Sequence, residues 1–148
     1  MFIAEQLLTS FIASAAFIIL FNAPRPSLIK CGFVGMVGWS IYIVMTENGV
    51  DIVPATVMAS FIVAVASQLF AKRYRTPVII YSVGGIIPLV PGGMAYDAMR
   101  NFVQNDYGVA VSLAAKAFMI SGSIAMGIVF SEVINQIIRQ SRLRNIPK

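Results

Sequence analysis

Apolar residues dominate this chain in long runs, and the polar residues gather between those runs. Four of the runs cover about residues 5–21, 31–46, 52–71 and 109–138. A helix needs roughly 20 predominantly apolar residues, with a range of about 17–25, to cross the hydrocarbon core of a bilayer. Each run comes near or exceeds that length, so the pattern predicts four membrane-spanning helices.

A fifth apolar segment, at about residues 77–92, is interrupted by glycine and proline. Its end carries the motif Gly-Gly-Ile-Ile-Pro-Leu-Val-Pro-Gly-Gly at residues 84–93. A broken helix at membrane depth must be buried in protein or line a wet cavity, because lipid offers no partner for free backbone groups. We therefore predict a discontinuous fourth span, and an all-α membrane protein with five transmembrane helices.

Two further segments complete the single integral membrane domain that we predict for residues 1–148. Apolar residues recur with helical spacing in residues 94–104, and polar residues occupy the other side. This pattern predicts a short amphipathic helix that lies along the outer interface or caps an outward vestibule. Residues 139–148 are polar and basic, which predicts a cytoplasmic tail.

The net charge of +5 is distributed unevenly around the predicted spans. With five crossings, all of the 11 Lys and Arg residues except Arg100 and Lys116 fall on one face of the membrane. Cytoplasmic loops are enriched in Lys and Arg, so we expect the N-terminus outside and the C-terminus in the cytoplasm. The basic run at residues 72–75 is expected to fix this topology by facing anionic lipid.

The composition excludes several classes of function. Hydrophobic residues make up 58% of the chain and charged residues 11%, whereas soluble domains carry about 25% charged residues. There is no His and one cysteine, Cys31, so the commonest metal ligand and an internal disulfide are both missing. We find no phosphate-binding loop and expect no enzymatic activity, no metal and no cofactor. The basic residues flank the spans, which argues against a nucleic-acid partner.

The interruption in the fourth span is the main candidate for a solute site. Pro88 and Pro91 have no N–H, so each is expected to free the carbonyl about one turn earlier, at Gly84 and Ile87. Free carbonyls accept hydrogen bonds from an ammonium group, and a new helix that begins at Gly93 would favour a carboxylate. A zwitterionic amino acid offers both groups. The alternative is a plain proline kink with a re-entrant loop at the membrane surface.

Other polar side chains near the spans each have two interpretations. Lys116 either snorkels to the outer surface or takes part in binding or gating. Asp97 either forms a solvated pair with Arg100 or faces the cavity beside Tyr96. Ser123 lies on a stripe of small residues that either packs helices closely or lines a solute path.

The motif at residues 88–93, followed by Tyr96 and a long final span, resembles the threonine/serine exporter family. The similarity is to its small, separately encoded half, the YjjB-like or ThrE-like C-terminal membrane domain, and it covers nearly the entire chain. It implies the small subunit of a secondary exporter in the bacterial inner membrane, which moves small amino acids out of the cell by alternating access. It also implies a larger five-span partner subunit, within a homo- or hetero-oligomer.

The candidate substrate-binding residues cluster around the interruption and in the final span: Gly84, Pro88, Pro91, Gly92, Gly93, Tyr96, Asp97, Lys116 and Ser123. Two other functions remain open at this point. One is an exporter subunit for small organic acids. The other is a non-transporting scaffold or regulatory subunit, which would bind a partner through its Gly and Ser ridges.

Overall fold

A computed structural model describes residues 2–144 of the chain. The helices are α1 (Phe2–Leu20), α2 (Leu28–Glu47), α3 (Ile52–Tyr74), α4 (Val78–Ile86), α5 (Gly92–Val103) and α6 (Tyr107–Arg144). Short 3₁₀ turns at Arg25–Ser27 and Ile87–Leu89 precede α2 and follow α4. No strand occurs within these residues, so the prediction of an all-α fold is confirmed.

Prolines mark several of the helix boundaries. Pro24 immediately precedes the 3₁₀ turn before α2, Pro77 immediately precedes α4, and Pro91 immediately precedes α5. Pro54 lies in the first turn of α3, where a missing N–H costs nothing because that group has no partner within the helix. Pro88 lies within the 3₁₀ turn that ends α4.

Among residues 2–144, four helical segments are long and apolar enough to cross a membrane, namely Ile3–Leu20, Arg25–Glu47, Ile52–Tyr74 and Tyr107–Ser141. A fifth is added if the bent pair Val78–Leu89 and Gly92–Val103 counts as one span. The bend between its two halves is 53°. The bend falls at the glycine and proline motif, where the sequence predicts an interruption, and the second half of the pair contains the predicted amphipathic helix at residues 94–104. α6 continues to Arg144, through residues in which the sequence predicts a tail.

α4 lies at the centre of the bundle, against α1, α2 and α3. The side chain of Tyr81 is fully buried there. A Cβ atom added to Gly84 would lie 2.7 Å from Ile18, and one added to Gly85 would lie 2.6 Å from Val34. A larger residue at either position would therefore force the neighbouring Ile18 or Val34 side chain to shift, because these side chains pack directly on the α4 backbone.

The two ends of the bundle differ in charge. At one end, Glu47 closes α2 and Asp51 precedes α3, and we call this the acidic end. At the opposite end, α3 finishes with Lys72 and Arg73 and is followed by Arg75, and we call this the basic end.

α6 runs parallel to α3, from the acidic end to the basic end. Gly127 packs beside Ser60, and the Lys72 ammonium donates a hydrogen bond of 2.7 Å to the Asn135 side chain nearer the basic end. This parallel pair forms one wall of the bundle, and α4 packs against its α3 member and against α1 and α2.

α5 and the first part of α6 form an antiparallel hairpin that extends beyond α3. Phe102, near the end of α5, packs edge-on against Tyr107 with ring centroids 5.2 Å apart. Met94, in the first turn of α5, lines one cavity together with Asp51 and Lys116. Lys116 comes nine residues after the start of α6, so about 14 Å of α6 lies beyond the level of Asp51, at a rise of ~1.5 Å per residue.

Candidate functional site

The interruption between α4 and α5 follows a defined backbone path. Val90 is extended, with φ −67° and ψ 127°, and α5 begins at Gly92. The Val90 N–H donates to the Ile87 carbonyl at 3.3 Å, and the Gly92 N–H donates to the Val90 carbonyl at 2.8 Å. The expectation that Pro91 leaves the Ile87 carbonyl free is therefore wrong, because the 3₁₀ turn supplies a donor for it.

The four glycines of the motif lie in two different environments. Gly84 and Gly85 are buried, and the space that a side chain would need is filled by neighbouring helices. Gly92 and Gly93 are exposed, and a Cβ atom added to either would meet nothing within 4 Å. Gly84 is thus a packing position, whereas the first turn of α5 is open to a ligand. The Gly92 N–H is already bonded to the Val90 carbonyl, whereas the N–H groups of Gly93 and Met94 have no intrahelical acceptor.

A cavity of about 450 Å³ opens beside the first turn of α5. It lies between the start of α3, the start of α5 and the middle of α6. The residues that line it are Asp51, Ile52, Val53, Pro54, Met94, Lys116, Met119 and Ile120. We call it the acidic-end cavity, and its volume falls in the range of about 300–1,000 Å³ that is typical of small-molecule sites.

Two opposite charges line the acidic-end cavity, from different helices. Asp51 precedes α3 and Lys116 belongs to α6, and both side chains are exposed. Within residues 3–141, no Lys or Arg nitrogen lies within 4.0 Å of a carboxylate oxygen. The two charges therefore do not neutralise each other in an ion pair. A ligand with an ammonium group and a carboxylate matches this arrangement, and the free N–H groups of α5 favour the carboxylate as well.

Apart from Lys116, the other eight sequence candidates are not among the residues that line this cavity. The Tyr96 side chain is 68% exposed and lines a separate groove of about 330 Å³ together with Arg100. Asp97 is exposed on α5 and forms no ion pair with Arg100. Ser123 is buried, and its hydroxyl donates to the Met119 backbone carbonyl at 2.8 Å. Of the predicted residues, Lys116 is therefore the one that the structure places directly in the acidic-end cavity.

Pro88 lines a second groove, which faces α1. This groove has a volume of about 290 Å³ and is lined by Gln6, Thr9, Ser10, Ala13, Trp39 and Pro88. The Trp39 indole N–H donates to the Gln6 side-chain oxygen at 3.0 Å. Ser14 is fully buried close by, and within the described part of the chain its hydroxyl is the one buried side-chain group without a hydrogen-bond partner.

Reasoning from the sequence missed Asp51, which it treated only as a marker of topology. A signal was nevertheless present, because Asp51 directly precedes an apolar run at the same membrane face as Lys116. Two opposite charges at the same end of neighbouring spans are candidates for one site. What the sequence does not contain is the pairing of α3 with α6, which brings the two residues to one cavity.

One known protein family matches the part of the chain that contains the bent pair and the acidic-end cavity. The family model described as "Threonine/Serine exporter, ThrE" matches residues 6–134. The match spans the region from α1 into α6, and it includes the bent pair and the acidic-end cavity. The chain belongs to the threonine/serine exporter family. By its description this is a family of transporters, so we treat the chain as an exporter-type multi-pass membrane protein. No solved structure matches it.

Proposed function

We propose that this chain is the small subunit of a secondary exporter for threonine, serine and similar small amino acids. Membership of the exporter family supports the class of function. The observation that carries the site is the acidic-end cavity, where Asp51 and Lys116 remain unpaired beside the open first turn of α5. Both ends of a zwitterion find a partner of opposite charge there.

In the proposed bound state, the solute carboxylate interacts with Lys116 and with the free N–H groups at the start of α5. The solute ammonium interacts with Asp51. Charge-assisted hydrogen bonds of this kind are roughly twice as strong as those between neutral groups. Met94 and Met119 contribute apolar surface to the same cavity, which suits a short side chain such as that of threonine.

The proposed partner is a larger five-span subunit. An odd number of spans reverses the orientation between two consecutive blocks, so the two halves would form an inverted pair with the site between them. Because basic residues concentrate in cytoplasmic loops, we place the basic end in the cytoplasm of a bacterial inner membrane and the acidic end outside. Alternating access then requires the two halves to move against each other.

An efflux assay tests the proposal in cells that express both subunits. The cells are loaded with a threonine-containing peptide, and threonine efflux is measured with each subunit deleted or restored. We expect Asp51→Asn and Lys116→Gln to reduce efflux strongly without changing the amount of protein in the membrane. Glu47→Gln and Arg100→Gln are matched controls, because they remove one charge of each sign from exposed positions outside the cavity. Both should retain efflux.

The same assay separates the proposal from its alternatives. If deleting this chain leaves the efflux of threonine, serine and small organic acids unchanged, the chain is a scaffold and the transport proposal fails. If small organic acids require the chain and threonine does not, the solute has no ammonium group. In that case Lys116→Gln should reduce efflux, and Asp51→Asn should not.

A further inference from the structure

A larger groove lies at the opposite end of the bundle, between α3 and α6. Its volume is about 710 Å³, and its lining residues are Val65, Gln68, Leu69, Lys72, Ser131, Ile134, Asn135, Ile138 and Arg139. The two helices touch through Gly127, where a Cβ atom would lie 2.6 Å from the Val57 carbonyl oxygen. They leave the groove open nearer the basic end, and we call it the basic-end groove.

The floor of the basic-end groove is polar and buried. Gln68 is 8% exposed and Ser131 is 1% exposed. The Gln68 side-chain amide donates to the Ser131 hydroxyl oxygen and to a Glu132 carboxylate oxygen, both at 3.2 Å. This network holds α3 and α6 together nearly two turns before the end of α3. The Glu132 carboxylate beside the floor thereby already accepts a hydrogen bond from a protein donor.

The rim of the groove is cationic. Lys72 lies one helical turn beyond Gln68, about 5.4 Å nearer the basic end, and its ammonium donates to Asn135 at 2.7 Å. Arg139 lies one turn beyond Asn135 on α6 and lines the same groove. Lys72 keeps two further N–H donors, and the Arg139 guanidinium can bind an anionic oxygen in a bidentate manner. Two cations therefore converge on one space.

The side walls of the groove are apolar and open laterally. Leu69 is 63% exposed, Ile134 45% and Ile138 50%. In a membrane-spanning bundle these surfaces face hydrocarbon. The groove thus combines an apolar flank with a cationic rim at the level of the membrane surface, and it adds a polar floor about one turn deeper.

We propose that the basic-end groove binds one anionic glycerophospholipid of the adjacent leaflet. The phosphate lies between Lys72 and Arg139, the ester region lies one turn deeper at the Ser131 hydroxyl, and an acyl chain follows Leu69 and Ile134. Basic pockets between transmembrane helices commonly hold anionic head groups, and each nearby Lys or Arg contributes about 1 kcal/mol. A free amino acid would leave the apolar walls uncovered, so the geometry favours a lipid over the exported solute. This inference does not depend on the transport proposal.

Lipid retention by the purified full-length protein tests this inference. The protein, with its partner subunit where the two co-purify, is delipidated and incubated with phosphatidylglycerol or with phosphatidylcholine, and the bound lipid is counted by native mass spectrometry. We expect one phosphatidylglycerol to be retained in preference to phosphatidylcholine. At about 1 kcal/mol per basic residue, Arg139→Gln should weaken retention about fivefold, and the double variant Lys72→Gln/Arg139→Gln about thirtyfold.

The matched control is the double variant Arg25→Gln/Arg73→Gln, which removes the same charge at the basic end from residues that do not line the groove. It should retain phosphatidylglycerol. Equal losses in the two double variants would show that only general surface charge acts, and would overturn the proposal. Retention of phosphatidylcholine as strongly as phosphatidylglycerol would also overturn it, as would displacement of the lipid by free threonine. Arg139 makes no hydrogen bond within residues 3–141, so Arg139→Gln should leave the fold intact. This single variant therefore tests the proposal even if variants that contain Lys72→Gln unfold.

Discussion

Gly127 is the position at which the packing of α3 against α6 can be tested most sharply. An alanine there adds one methyl group, which would lie 2.6 Å from the Val57 carbonyl oxygen and 2.9 Å from the Phe61 backbone nitrogen. A side chain in the way can rotate aside, but these two atoms belong to the α3 backbone. The two helices must therefore separate before the methyl group fits.

The magnitude follows from two opposing effects. Overpacking a well-packed contact costs about 1–3 kcal/mol, whereas replacing glycine by alanine within a helix gains about 0.5–1 kcal/mol. We expect Gly127→Ala to lower the free energy of unfolding by about 1–2 kcal/mol. Gly122→Ala, five residues earlier on α6, meets nothing within 4 Å and should raise it by about 0.5–1 kcal/mol.

Thermal unfolding in a mild detergent measures both variants. At about 2–4 °C per kcal/mol for a chain of this size, Gly127→Ala should lower the midpoint by about 2–8 °C and Gly122→Ala should raise it slightly. Shifts of the same sign and size in the two variants would refute the close approach of α6 to α3. The basic-end groove and the acidic-end cavity both depend on that pairing.

Three further predictions concern the interruption between α4 and α5 and two buried side chains. Pro88→Leu and Gly92→Leu should each abolish efflux in the peptide-loading assay while membrane insertion, measured by immunoblotting of membranes, stays normal; unchanged efflux would argue against the interruption as part of the site. Ser14→Ala should raise the thermal midpoint, because its buried hydroxyl has no partner, and the cost of such a group is about 1–3 kcal/mol. Ser67→Ala, which loses a hydrogen bond of 2.7 Å, is the control and should not raise it. Cys31 is fully buried, so N-ethylmaleimide should label it, as measured by intact mass, only after unfolding.

The apolar runs were enough to predict the helical fold and the interrupted span. In a membrane, a long apolar run can adopt only the few structures that pair its own backbone N–H and C=O groups. Pro88 and Pro91 cannot continue a regular helix. These are local constraints that the chain carries in its own sequence. For this reason the break between α4 and α5 was predictable before its neighbours were known.

The roles of the individual glycines were not predictable in the same way. Gly84 and Gly92 belong to one motif, yet the first is packed against Ile18 and the second faces open space. The difference arises from which helices surround α4 and which leave α5 uncovered. That information lies in the packing of distant segments, and the local sequence does not contain it.

The candidate site could also be predicted only in part, because it depends on the packing of distant segments. Lys116 was noticed because a charge within an apolar run is costly, whereas Asp51 sits at a helix start, where an acidic residue is ordinary. Only the parallel pairing of α3 with α6 brings the two charges to one cavity. The same pairing sets the position of the hairpin formed by α5 and α6. Because α6 is packed on α3, the hairpin brings Met94 to the level of Asp51.

Occupation of the acidic-end cavity by the solute is the central claim, and the protection of an introduced cysteine from labelling measures it. In a Cys31→Ser background, Met94→Cys places a thiol in the cavity wall, and Tyr96→Cys places one on α5 outside the cavity. The labelling rate with a membrane-impermeant maleimide is measured with and without threonine. We predict that threonine slows labelling at position 94, has no effect at position 96, and loses its effect when Asp51→Asn is added. An unchanged rate at position 94, in a complex that still exports threonine, would contradict the account.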